Sequence, residues 1–185
     1  MRRSDMNCSR WALVPATALV ALPAAYAAQY LSVEQAQQQL FPGGAAFEPM
    51  KLTLTAAQQQ PADAAGKVVS NFEPRVWRVR AADKLIGYFF VHEVIGKQDF
   101  ITYAVAIDGD GKVKGVEILA YRESHGYEIR NPRWRAQFAG KGPQDAVKLD
   151  LDITNISGAT LSCRHVTDGV RRILALYDAA LKGQP

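Results

Sequence analysis

A chain of 185 residues, 48% hydrophobic and 22% charged, has enough apolar material for one well-filled core, and its length suits one domain plus short extras. Its formal charge of +4 includes no Lys/Arg block long enough for a nucleic-acid surface, so nucleic acid is excluded as a partner. Three His and two Cys, with no Cys/His pair at ligand spacing, give a zinc or haem site no support and leave the metal set empty.

Residues 1–28 read as a signal peptide. Arg2, Arg3 and Arg10 form a positive start, residues 11–24 are apolar, and Ala25, Tyr26 and Ala27 lead into a cleavage site near Ala27 or Ala28. An uncleaved membrane anchor is the weaker alternative, because the run is short and holds Pro15 and Pro23. Cys8 precedes the apolar run and is not placed for lipidation, and Arg2-Arg3 lacks the surroundings of a twin-arginine signal. Cleavage would remove three Arg and one Asp, leaving 19 basic against 17 acidic residues. Only Cys163 would remain, so the exported part would have no internal disulfide.

Along the mature chain, residues 32–40 predict a short helix capped by Ser32, with Val33, Ala36 and Leu40 on one face. Leu52 and Leu54 alternate with threonines as in a strand, and residues 56–66, interrupted by Pro61, predict a helical turn or two. The centre is β: residues 75–81, 85–96, 100–107 and 113–123 are rich in Val, Ile and aromatics and are separated by polar or glycine-bearing breaks, as in an antiparallel meander. Residues 108–112 (DGDGK) are a hairpin turn and not a calcium loop, since Leu119 stands where the closing glutamate belongs. A loop at 122–131 precedes a short helix that begins at Pro132. Residues 147–154 alternate as a last strand. A final amphipathic helix places Val166, Val170, Ile173, Leu174, Tyr177 and Leu181 on one stripe.

Two pairs that suggest catalysis fail on geometry. Cys163 and His165 lie two apart on a helix and point in different directions, which leaves an unreactive thiol and a surface histidine. His92 and Glu93 are neighbours on a strand and face opposite sides of the sheet. No catalytic set emerges. The segment Ser157-Gly158-Ala159-Thr160, with Leu161 and Ser162 beyond it, is different. One reading is that Ser157, Thr160 or Ser162 caps the helix. The other is that small residues leave an open surface beside a helix N-terminus, where free N–H groups and the positive dipole end suit a phosphate and Thr160 offers an oxygen.

The Ser-Gly-Ala-Thr motif, in its order after the GKVKGVEILAYRES strand, the HGYEI loop and the RWRAQFAGK segment and before the last helix, resembles the FMN-binding domain family. That family includes the peripheral flavin subunits of the Rnf and sodium-pumping NADH:quinone reductase complexes. The resemblance covers residues 88–181. It implies that a flavin transferase esterifies FMN through its phosphate to Thr160, and that Ser157, Gly158, Ala159, Leu161, Ser162, Glu123, Ser124, Gly126 and Tyr127 surround the cofactor. The chain departs from the family pattern in two places. Thr154 stands where an aspartate is usual, with Asp152 the nearest acid, and residues 123–128 (ESHGYE) replace a Glu-Thr-Pro-Gly-Leu-Gly type of loop. Tyr121, Tyr127 and Trp134 are candidates to flank the flavin ring or to be core. Arg130, Arg133 and Arg135 are candidates to stabilise an anionic flavin, to steer an acidic partner, or to form a solvated face.

The expectation is an α+β fold: an antiparallel meander with flanking helices and a C-terminal amphipathic helix. Its parts would be a signal peptide (1–28), a helical or extended region (29–84) and an FMN-binding domain (85–182). Functionally, the resemblance implies a periplasmic electron carrier with covalent FMN, serving a membrane redox complex or another carrier protein. The alternatives are a flavin-dependent reductase of a small exported substrate, with His125 as proton donor, and an accessory module with the fold but no cofactor.

Overall fold

The computed structural model describes residues 28–66 and 73–184; apart from Ala28, the signal-peptide reading lies outside the described residues. Described strands are β1 (Ala28–Gln29), β2 (Ala46–Met50), β3 (Arg75–Ala81), β4 (Lys84–Ile95), β5 (Phe100–Asp108) and β6 (Val113–Tyr121). They form one sheet in the order β1-β6-β5-β4-β3-β2, with every neighbouring pair antiparallel. Helices α1 (Val33–Leu40), α2 (Ala56–Ala65), α3 (Pro132–Arg135) and α4 (Thr160–Ala180), with two 3-10 turns at Tyr127–Arg130 and Ala136–Phe138, complete the expected α+β architecture. The β3–β4 hairpin carries the sheet continuously across residues 81–84.

Both faces of the sheet are covered, which explains why its central strands read as nearly unbroken apolar runs. Alternate residues of β4 and β5 divide between two cores. Phe90, Val94, Tyr103 and Val105 meet Val166, Val170, Ile173 and Leu174 of α4, along with Trp134 and Phe138. On the opposite face Phe89, Val91, Ala104 and Ala106 meet Ala36, Leu40 and Phe41 of α1 and its end. Helix α1 begins with the expected cap: Ser32 accepts the Gln35 N–H at 3.2 Å while the Gln35 side chain accepts the Ser32 N–H at 2.8 Å.

Three local expectations change. Residues 56–65 form a full ten-residue helix despite Pro61, because packing on α4 supplies what propensity lacks: Arg172 pairs with Asp63 at 2.6 Å, Arg171 donates to the Ala65 carbonyl, and Gln58 donates to the Ala179 carbonyl at 3.2 Å. The strand near Leu52 lies instead at Ala46–Met50, an edge position that tolerates Pro49. Residues 147–154 are not a strand. Positive φ at Val147 (40°) and Asp150 (65°) turns the backbone, and the Asp152 carboxylate accepts the Val147 and Lys148 N–H groups at 3.1 and 2.6 Å. A local carboxylate thus takes N–H groups that a sheet partner would need.

Candidate functional site

Helix α4 starts without a side-chain cap. Its N-cap is Ala159, whose carbonyl accepts the Cys163 N–H at 2.9 Å, and no side chain caps the N–H groups of the first turn. The capping reading of Ser157, Thr160 and Ser162 is therefore set aside, and the N–H groups of Thr160, Leu161 and Ser162 remain without intrahelical acceptors. Each residue of the motif has a distinct place. Ser157 is exposed. Gly158 has φ +84°, and a Cβ there would meet nothing within 4 Å, so the backbone requires glycine while the space beside it stays open. Ala159 is buried against Gly126, where a Cβ would come within 3.3 Å of the Ala159 Cβ and 2.6 Å of the Tyr121 hydroxyl. Its small size serves packing, not access.

Thr160 is half-buried, and its Oγ1 accepts a hydrogen bond from Asn155 Nδ2 at 3.1 Å. That contact fixes the hydroxyl's orientation and leaves its own hydrogen free to be donated. The Asn155 Oδ1 is buried without a partner. Ser162 is buried, with its Oγ 3.0 Å from the Tyr121 hydroxyl, which itself donates to the His125 carbonyl. Burial raises the Tyr121 pKa despite the opposing bond from Ser162, so the phenol stays protonated and able to donate.

A cavity of about 520 Å³ opens at this helix end. It is lined by Gly158, Ala159, Thr160, Leu161 and Ser162, by Glu123, Ser124 and His125, and by Lys97 and Gln98 of the β4–β5 turn. Its volume falls within the span of roughly 300–1,000 Å³ usual for cofactor-sized sites. His125 Nδ1 lies 2.9 Å from the Ser124 hydroxyl. Lys97 is the one Lys or Arg among the described lining residues.

The sequence of this region matches a known family: residues 96–175 fit the model of the FMN-binding domain. This segment belongs to the FMN-binding domain family. No curated protein matches the chain. The family match supports a flavin-binding protein, and the geometry at α4 fits the cofactor. Uncapped helical N–H groups suit a phosphate, open space lies beside Gly158, a hydroxyl stands at Thr160, and a cation is present at Lys97.

Of the FMN-binding residues expected from sequence, Gly158, Ala159, Thr160, Leu161, Ser162, Glu123 and Ser124 line the cavity. Gly126 sits beneath Ala159, while Ser157 and Tyr127 (60% exposed) lie outside the lining. Trp134 is core: its ring packs edge-on against Phe138 at 5.3 Å, and its Nε1 donates to the Thr154 carbonyl at 2.8 Å. Arg130 stacks 3.4 Å from the Tyr30 ring centroid, and Arg135 pairs with Glu117 and donates to the Val116 carbonyl at 2.8 Å, so both tie structural elements together. His165 is no free surface histidine, since its Nδ1 bonds the Ile95 carbonyl and, at 3.1 Å, the Gly96 carbonyl. Cys163 is the expected inert thiol, its pKa raised by burial. Sequence reasoning missed Lys97, Gln98 and Asn155. A hairpin-turn lysine and an asparagine two residues before the motif carry no signal until the chain is folded.

Proposed function

We propose that this protein is an exported electron carrier with FMN held as a phosphoester of Thr160. One observation carries the reading: the only hydroxyl-bearing half-buried residue in the uncapped first turn of α4 stands on the cavity, oriented by Asn155. In the transfer, Thr160 Oγ1 forms a bond to the flavin-side phosphorus of a flavin dinucleotide, the pyrophosphate P–O bond breaks, and the hydroxyl proton is released as the nucleoside monophosphate leaves, so that the chain gains one FMN less water with a flavin transferase as catalyst. The bound flavin supplies one- and two-electron chemistry. The chain's residues do the holding: α4 N–H groups and Lys97 balance the phosphodiester charge, and Gly158 leaves room for approach. A covalent link suits a protein outside the cytoplasm, where lost FMN would not be replaced. The partners under this reading are the transferase and a membrane redox complex or carrier protein.

The test is co-expression with a flavin transferase followed by intact-mass measurement of the periplasmic protein. A mass equal to the chain from about Ala28 plus one FMN less water, with colour retained after denaturation, is expected. A colourless product with the transferase present would count against covalent attachment, and a start at Met1 would count against cleavage.

The place of His125 favours a second reading. A ring on the cavity, held through Nδ1 by Ser124, leaves Nε2 for a proton transfer to a small exported substrate. Substrate-dependent oxidation of the pre-reduced protein, lost in His125→Gln with flavin content unchanged, would select the reductase over the carrier.

A further inference from the structure

The β4–β5 turn, residues 96–99, brings Lys97 and Gln98 to the cavity, yet its own bonding is slight: Gly96 N–H to the Asp99 carbonyl at 2.8 Å. It is held from elsewhere. A single oxygen of Glu123, Oε1, accepts the N–H groups of Lys97, Gln98 (2.6 Å) and Asp99 (3.0 Å). Gly96 makes this approach possible, because a Cβ there would lie 2.5 Å from Oε1 and 3.0 Å from Cγ of Glu123. From α4, His165 Nδ1 holds the Ile95 and Gly96 carbonyls, so that nitrogen carries the proton.

Three successive N–H groups converging on one point form an anion-binding concavity in their own right. The cavity therefore has two sets of donors suited to an anion, the turn and the α4 N-terminus, and the chain fills one of them with its own carboxylate. An incoming phosphate is left the other set, beside Thr160. With Oε1 committed to three donors and a negative charge of its own, Glu123 is unsuited to bind a phosphate directly. We infer that Glu123 is a positioning residue: it holds residues 97–99 as a fixed wall of the cofactor site, keeps Lys97 at the cavity as countercharge for the anionic flavin phosphate, and closes the competing anion nest. This rests on the flavin reading of the site and deepens it.

The test uses the full chain with Glu123→Ala, Glu123→Gln and Lys97→Ala, each co-expressed with the transferase. Amide hydrogen exchange at residues 97–99, the flavinylated fraction by intact mass, and thermal unfolding are measured together. In E123A, exchange at 97–99 should rise roughly tenfold or more and attachment should fall to a similar degree, in protein that is less stable than wild type but still unfolds cooperatively. E123Q, whose amide oxygen still accepts, should recover most of both, and K97A should slow attachment without altering exchange. Full attachment in E123A despite raised exchange would overturn the inference. So would an E123Q protein that keeps protected 97–99 amides but fails to attach flavin, since that would mean direct contact with the cofactor. If E123A does not fold, E123Q and K97A decide. A wild-type chain that gains no FMN overturns the flavin reading and this role with it, whereas failure confined to the Glu123 variants leaves the flavin reading standing.

Discussion

The two hairpin turns that flank β5 use the same device with different suppliers. At residues 108–112 the carboxylate is the turn's own: Asp108 Oδ1 accepts the Asp110 and Lys112 N–H groups at 3.0 and 2.9 Å, and the Asp108 N–H bonds the Lys112 carbonyl at 2.8 Å. At residues 96–99 the carboxylate is Glu123, borrowed from the loop after β6. A self-sufficient turn takes its shape from its own residues. A borrowed one makes the placement of its side chains depend on a distant loop, and in this molecule that loop and that turn share the cavity at α4.

That contrast is open to experiment, starting with the largest effect. The borrowed turn matters to function only if flavin hangs beside it, so Thr160→Ala should abolish covalent attachment completely, read by intact mass. Losing the Asn155 contact should cost the fold only about 1 kcal/mol. Flavin mapped to Ser157 or Ser162 in the wild-type peptide digest would move the attachment point.

Next, Asp108→Ala should destabilise the protein by about 1–3 kcal/mol in denaturant unfolding, because two backbone donors lose a charged acceptor. Attachment in that variant should stay at the wild-type level. A fall in flavinylation would show that the self-sufficient turn also reaches the site, and the contrast would fail.

Gly158 tests the helix end by itself. Gly158→Ala should cost roughly 1–2 kcal/mol from left-handed backbone strain, with attachment retained because the space beside it is open. Gly158→Val imposes the same strain and adds bulk where the cofactor must approach, so its attachment should fall far more than Ala's at similar melting temperature. Equal attachment in both variants would remove Gly158 from the site.

The smallest effect belongs to Asp152, a third carboxylate that organises its own loop. Burial opposes its ionisation, but N–H bonds from Lys148 and Val147 and the Lys141 ammonium at 2.9 Å outweigh it and hold its pKa below the usual value. A depressed folded-state pKa means that its stabilisation is present above the unfolded value, near 4, and is lost as pH falls through the lower folded value. Asp152→Asn should therefore be slightly less stable at neutral pH, with the difference from wild type shrinking below about pH 4. A gap that stays constant from pH 7 to pH 3 would show that charge is not the cause.

Where local chemistry decides, the amino-acid order was sufficient. Runs rich in Val, Ile and aromatics between polar or glycine-bearing breaks set β3 to β6, Ser32 with Gln35 set the start of α1, Asp108 set its turn, and the stripe from Val166 to Leu181 set the buried face of α4. Those features follow from periodicity and from side chains bonding within four residues of themselves. The motif at 157–160 was equally visible, since glycine and alanine before a helix are a local fact. Tertiary structure decided the rest. Residues 147–154 alternate like a strand, yet Asp152 takes their N–H groups, and Pro61 stays within a helix because α4 holds it. The cavity wall is the clearest case. Lys97 reaches the site only because Glu123, 24 to 26 residues away, bonds the turn that carries it, and such a pairing leaves no periodicity to read.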